Sequence, residues 1–296
     1  MNNFWRSMVR GAAVCGVFLS VAGAVHAQAD GAATLLDKHT ALAQSLARNP
    51  YNRPLVLESQ EVNNRVTGHA YALLDFPFSA VSAQFKNPNQ WCEVMILHLN
   101  TKFCRASGPA GHETLKVSIG KKTPQALGDA STLSFQFKLA ETTQNFMAVN
   151  LMSRDGPMGT TDYRMALQMA ALPGGKTFVH LSYAYSYGLA GKLAMQSYLG
   201  TIGRSKVGFT SVVQKDGRSE LVGGMRGTVE RNTMRYYLAM EALMVSLQEP
   251  APEQVAKRLD YWFSVTEQYP EQLREIERAS YLSMKRAELL RQQNAP

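Results

Sequence analysis

The sequence predicts an α+β fold: a curved antiparallel sheet wrapped around one long helix near its C-terminal side, with further helices after it. Three observations carry this prediction. Between Leu97 and Tyr187 apolar and polar side chains alternate in repeated runs, as strands with one buried face require. Arg226–Leu247 is the longest helical pattern, with Val229, Thr233, Tyr236, Met240, Leu243 and Leu247 as its apolar stripe. Pro250 and Pro252 end it, and two more helical segments follow, about Glu253–Gln268 and Glu271–Gln292, separated by Tyr269-Pro270.

The remaining elements fit around these. Thr34–Arg48 places Leu35, Leu36, His39, Leu42 and Leu46 at helical spacing before Asn49-Pro50 stops it. Leu55–Asp75 changes period and reads as two strands or one long bent strand, with Gly68 as a bulge. Pro77–Lys86 is a short helix presenting Phe78, Val81 and Phe85, and Asn89–Ile96 a second one carrying Trp91 and Cys92. Leu133, Phe135, Phe137 and Leu139 share a strand face, as do Tyr163, Met165, Leu167 and Met169. Thr177, Val179, Leu181, Tyr183, Tyr185 and Tyr187 repeat the pattern after a turn at Pro173-Gly174-Gly175. Leu189–Ile202 reads as a helix, and Lys206–Val213 and Ser219–Gly223 as a hairpin around Lys215-Asp216-Gly217-Arg218.

The chain has 296 residues, with 45% hydrophobic and 18% charged residues, which excludes a disordered or fibrous protein. Met1–Ala27 has the form of a secretory signal peptide: Arg6 and Arg10 precede the apolar run Gly11–Val25, and Val25 and Ala27 supply small residues for cleavage. The run is shorter than a membrane span requires. Export implies a periplasmic product. Cleavage removes two of the 31 bases and leaves all 23 acids, so the net charge falls from +8 to +6. It also removes Cys15. Cys92 and Cys104 remain, and an even pair in an exported chain reads as a disulfide. Its short loop gives about 3 kcal/mol by chain entropy.

Strand, two short helices, antiparallel strands, then a long helix is the order of a helix-grip fold. Residues 55–247 resemble the START-related, polyketide-cyclase-like superfamily. The matching pieces are Leu73–Asp75 leading into Pro77–Phe85, followed by Asn87-Pro88-Asn89-Gln90-Trp91 and, later, the long helix. The Leu189–Ile202 helix and the helices after Pro252 depart from the simple pattern. The chain also resembles a group of exported proteobacterial proteins of unassigned function. Four segments are expected: a signal peptide (1–27), an N-terminal helical segment (28–54), the helix-grip domain (55–247) and a C-terminal helical extension (248–296). The resemblance implies a cavity for an apolar ligand, and flexible Met147, Met165 and Met169 suit an adaptable lining.

Several constellations are candidates for binding. Arg226 and Glu230 stand at i, i+4 spacing beside Arg231 and Arg235. On a gripped helix such an arginine can hold a carboxylate or phosphate head group, or the group forms a solvated face with ordinary ion pairs. His98 and Asn100 would share a strand face, with His180 on a later strand on the side away from the tyrosines. No HxH or HExxH spacing accompanies them, so no metal or other cofactor is expected. Tyr183, Tyr185 and Tyr187, with Tyr163, form an aromatic ladder that lines a pocket or simply pairs between strands.

Nucleophile elbows, P-loops and dinucleotide fingerprints are missing from the sequence. The modest, dispersed basic excess argues against nucleic acid and permits transient contact with an anionic membrane surface. Three functions follow: binding or carriage of a hydrophobic small molecule or lipid without catalysis, a cavity enzyme of cyclase or hydrolase type using His98, Glu230 or a tyrosine, and a cell-envelope interaction protein. The last would use Tyr261, Trp262, Phe263 and Leu273 on the C-terminal helices.

Overall fold

The computed structural model describes residues 23–193, 206–214 and 216–294, with side chains from residue 31 onward. The signal-peptide segment lies almost wholly outside them, as does most of the expected Leu189–Ile202 helix. Among the described residues no helix is long and apolar enough to cross a membrane.

Eight antiparallel strands form one sheet in the order β1-β2-β8-β7-β6-β5-β4-β3. β1 (Leu55–Val62) and β2 (Arg65–Leu74) are a hairpin. Its two turn residues, Asn63 and Asn64, both have positive φ, 50° and 58°. A two-residue hairpin turn of this hand needs that conformation, and asparagine tolerates it well. This turn settles Leu55–Asp75 as two strands.

The chain then crosses to the opposite edge through α2 (Phe78–Phe85) and α3 (Pro88–Met95). Asn87 caps α3 by accepting from the Asn89 amide, and the Trp91 indole donates to Phe85 O at 2.8 Å. A meander returns: β3 (Thr101–Ser107), β4 (Thr114–Ile119), β5 (Ser131–Thr142), β6 (Phe146–Asp155), β7 (Thr160–Leu172) and β8 (Lys176–Tyr187). β8 closes on β2. The expected hairpin is present as β9 (Ser211–Val213) with β10 (Ser219–Leu221).

The gripped helix is α4 (Gly224–Ser246), which packs against β1, β2 and β8. Val229, Thr233, Met240 and Leu243 are fully buried on it. The other face of the sheet is covered by α1 (Gly23–Ala47), whose Leu35 and Leu46 pack on Tyr71, Phe146 and Phe178. After α4 come α5 (Gln254–Thr266), the single turn α6 (Pro270–Leu273) and α7 (Arg278–Gln293).

Three local expectations need correction. Gly68 is no bulge, because β2 pairs with both neighbours in continuous register there. The glycine instead allows β2 to approach α4, where a Cβ would overlap Thr233. Leu139 is exposed rather than in the buried row, since the register of β5 on β6 shifts between Leu139 and Glu141. The last helical segment breaks at residues 274–277, dividing it into α6 and α7.

Trp262, Phe263 and Leu273 are buried in the main core. Trp262 stacks on Tyr281 at 5.0 Å and donates to Arg235 O at 3.1 Å. These side chains belong to the packing of α5 and α7 and present no apolar surface to a partner.

Candidate functional site: a cavity between sheet and gripped helix

A cavity of about 310 Å³ lies between the sheet and α4, near the lower end of ligand-pocket sizes. β4, β5 and β7 supply Val117, Ile119, Leu133, Phe135, Tyr163 and Met165, all on the inward face of their strands. β8 adds Tyr183, and the loop before β7 adds Pro157 and Met158. The alternation of the strands is what gathers these apolar side chains.

The opposite wall is polar. α4 contributes Thr228, Arg231, Asn232, Arg235 and Tyr236, while the turn after α3 contributes His98 and Asn100. Lys122 comes from the β4–β5 connection. Arg231 and Arg235 are buried. Arg231 donates to Val207 O at 3.2 Å and to Thr228 Oγ1 at 3.0 Å. Arg235 donates to Leu273 O at 3.1 Å and to Glu275 Oε1 at 2.9 Å, and Lys122 reaches the same oxygen at 2.7 Å. Burial alone would raise the Glu275 carboxyl, but Arg235 and Lys122 hold it below its ordinary value.

His98 stacks on Tyr236 at 5.2 Å. Its Nδ1 accepts from the Asn100 amide at 3.3 Å, so Nε2 carries the proton and faces Asn232 Oδ1 at 3.3 Å. Burial, followed by the nearby charges of Arg235 and Lys285, pushes its pKa well below the usual imidazole range. His98 is therefore a neutral donor at ordinary pH. Burial likewise raises the Tyr163 and Tyr183 phenols, which stay protonated.

The His98 turn is held from behind by the C-terminal helix. Lys285 Nζ donates to His98 O at 2.6 Å and to Thr101 O at 2.9 Å, and Tyr281 Oη donates to Leu97 O at 3.1 Å. Lys102 Nζ donates to Leu99 O and Thr123 O, both at 3.1 Å. Glu288 bridges the two ammonium groups at 2.9 and 2.8 Å, with all three side chains buried. The Cys92–Cys104 disulfide, with Cα atoms 5.1 Å apart, ties α3 to β3 on either side of this turn.

Of the residues singled out in the sequence, His98, Asn100, Tyr163, Met165, Tyr183, Arg231 and Arg235 meet at this cavity. His98 and Asn100 do so from a turn rather than a strand, because β3 begins only at Thr101. Tyr185 is buried and stacks on Tyr163 at 5.2 Å without lining the cavity. His180 lies on the other side of the sheet, where its Nε2 is 2.9 Å from His69 Nδ1 and its ring stacks on Tyr71. Arg226 and Glu230 also point elsewhere. Both converge on Ser59 Oγ of β1, Glu230 at 2.5 Å and Arg226 at 3.1 Å. Glu230 also accepts from the Phe209 and Thr210 amides at 2.6 and 3.0 Å, so it fixes the segment before β9. Lys122 and Asn232, which the sequence did not single out, complete the polar wall. On α4 the signal was present: residues 231, 232, 235 and 236 recur at i, i+1, i+4 and i+5 on one helix face.

Among the described residues no group of three or more His, Cys, Asp or Glu side chains is placed to hold a metal ion. The arrangement is an apolar chamber closed at one end by cations and neutral donors.

No protein-family model and no curated protein matches this sequence. Solved structures do resemble it. The Zhui aromatase/cyclase of a Streptomyces species is 9% identical, with a TM-score of 0.40 over 63% of this chain and 98% of that one. Human StAR-related lipid transfer protein 5 is 10% identical, with a TM-score of 0.38 over 73% and 99%. A norcoclaurine synthase of Thalictrum flavum is 11% identical, with a TM-score of 0.36 over 66% and 98%. At such identities a likeness concerns fold alone. The helix-grip assignment rests on the sheet order and the gripped helix themselves.

Proposed function

We propose that this protein binds and carries a hydrophobic small molecule or lipid in its cavity, without chemistry, after export to the periplasm. The observation that carries this reading is the chamber of about 310 Å³, walled by apolar strand side chains on one side and by α4 on the other. A filled core would leave no such space. The leader-like N-terminus and the Cys92–Cys104 disulfide support the compartment. Native mass spectrometry of protein purified from a periplasmic extract tests it. The expected spectrum shows an added mass that organic extraction removes. A bare polypeptide mass with nothing extractable overturns the reading.

A second reading, a cavity enzyme, is favoured by one observation: His98 is neutral, faces the cavity and is oriented by Asn100 and Asn232. It predicts that an extracted ligand is converted by fresh protein and that His98→Gln binds it without conversion. An unchanged ligand leaves the carrier reading standing alone.

A further inference from the structure

Resting on the carrier reading, we infer that the ligand is an uncharged apolar molecule bearing a carbonyl oxygen, which accepts from the hydroxyls of Tyr183 on β8 and Tyr236 on α4. The two side chains reach the cavity from opposite walls, and their ring centroids lie 5.4 Å apart. Both are more than nine-tenths buried, at 7% and 9% exposure. Neither hydroxyl bonds to a described residue, whereas that of Tyr163, in the same lining, shares a hydrogen bond with Thr160 Oγ1 at 2.8 Å. Neither oxygen is sealed by packing, so each opens onto the chamber. A hydroxyl without a partner in an apolar space is costly, and a ligand acceptor removes that cost.

The neighbouring groups decide between kinds of oxygen. Burial raises both phenols above the ordinary tyrosine value, so each keeps its proton and can donate it. The acceptors beside Tyr236 are already taken: His98 Nδ1 by the Asn100 amide, and Asn232 Oδ1 by the His98 Nε2 proton. A carbonyl oxygen has two lone pairs and no proton, so it answers both tyrosines at once. A ligand alcohol would bring a further proton to a wall whose His98 and Asn232 acceptors are occupied. The burial that keeps the phenols from ionising also penalises a negative charge placed against them. Arg231, Arg235 and Lys122 are engaged within the protein, with Val207 O, Leu273 O and Glu275 among their partners. The ring faces of Phe135, Tyr163 and Tyr183 run on from Tyr236 and receive the apolar body.

Equilibrium dialysis of the full-length secreted protein against four probes tests the inference. They are 2-acetylnaphthalene, its hydrocarbon counterpart 2-ethylnaphthalene, its anionic counterpart 2-naphthoate, and 2-undecanone, a ketone with a chain for a body. The naphthyl ketone is expected to bind about tenfold more tightly than the hydrocarbon and than the carboxylate. Tyr183→Phe and Tyr236→Phe each remove a hydroxyl and keep the ring. Each should lower ketone affinity about fivefold and leave 2-ethylnaphthalene unchanged. Because neither hydroxyl bonds to a described residue, both variants should also unfold at the parent's urea midpoint or above it, which separates a lost ligand contact from a damaged fold. Ketone and hydrocarbon bound alike, 2-naphthoate bound more tightly than the ketone, or ketone affinity unmoved in both phenylalanine variants overturns the carbonyl while the carrier reading survives. If no probe of either shape binds, both fall.

Discussion

Gly68 lies where β2 passes beneath the gripped helix, and replacing it by alanine tests whether sheet and helix meet as described. A methyl group there overlaps Thr233 Oγ1, inside the 3.0 Å below which Cβ contacts are essentially unknown, and stands 3.3 Å from Thr233 Cβ and Val229 O. Thr233 does not yield freely. It is fully buried and its hydroxyl donates to Val229 O at 2.8 Å. Relief requires either a new Thr233 rotamer without that bond or movement of α4 off the sheet. Overpacking of this kind costs about 1–3 kcal/mol. Against it, alanine restricts the unfolded chain and returns about 0.4–1 kcal/mol. Gly68→Ala should therefore lose about 1–2 kcal/mol in urea unfolding followed by far-UV circular dichroism. Thr233→Ala removes the overlapping oxygen and leaves the two 3.3 Å contacts, to the Cβ of residue 233 and to Val229 O. The double variant should then be more stable than the summed single losses by about 1 kcal/mol. Strictly additive losses, or a Gly68→Ala protein as stable as its parent, would refute close approach to the helix as the reason for the glycine.

Three further outcomes are expected. Replacing Cys92 and Cys104 together by serine should cost about 3 kcal/mol by loop entropy, and a urea midpoint equal to the parent's would contradict that. Glu288→Gln leaves Lys102 and Lys285 buried without their shared carboxylate, so a loss of about 3–5 kcal/mol is expected in the same assay. Burial pushes the His98 and His180 imidazoles down, His180 to about 3, with the neighbouring His69 adding to the effect on His180. Unfolded histidine protonates near pH 6.5, so the unfolded state binds more protons below that value. Stability is thus fully present above pH 6.5 and falls as the pH drops toward 4, by up to about 1.4 kcal/mol per pH unit for each such group. His180→Gln should flatten the profile of urea midpoint against pH, and an unchanged slope would sink the assignment.

The strands and the long helix were legible because a half-buried strand must alternate and the turns were marked by Pro173-Gly174-Gly175 and Asp216-Gly217. The disulfide was legible from an even cysteine pair. The orientation of α4 was not. It is buried on nearly all sides, Arg231, Arg235 and Glu230 included, so no solvated face reveals which polar residues look into the cavity. Arg226 and Glu230 were the natural choice by i, i+4 spacing, yet Ser59 holds them both. Lys122 sits in an irregular connection where no periodicity operates. His98 and Asn100 were found as residues but assigned to a strand, because nothing local reveals that their turn is held by Lys285, 187 residues away. Tyr185 shows the limit of a strand's two-residue period: it distinguishes faces of the sheet, as it did in setting His180 opposite the tyrosines, but not which part of a face borders empty space.

The seam between β2 and β8 has a consequence for how the molecule comes into being. Its register runs from Leu74 with Thr177 to Arg65 with Ser186, so the partners lie more than a hundred residues apart in the chain. At ordinary synthesis rates the first hairpin waits about 5–20 seconds for its partner strand to be made. During that time β2 presents an unpaired edge, the kind that invites association with other chains. Pairings so distant in sequence also raise contact order and slow folding. The helix that walls the cavity begins only at Gly224, and the lysine that braces the His98 turn comes later still, at Lys285. The chamber is therefore the last part of the protein to exist, and a nascent or C-terminally truncated chain should already form much of its sheet while the cavity still lacks its helical wall.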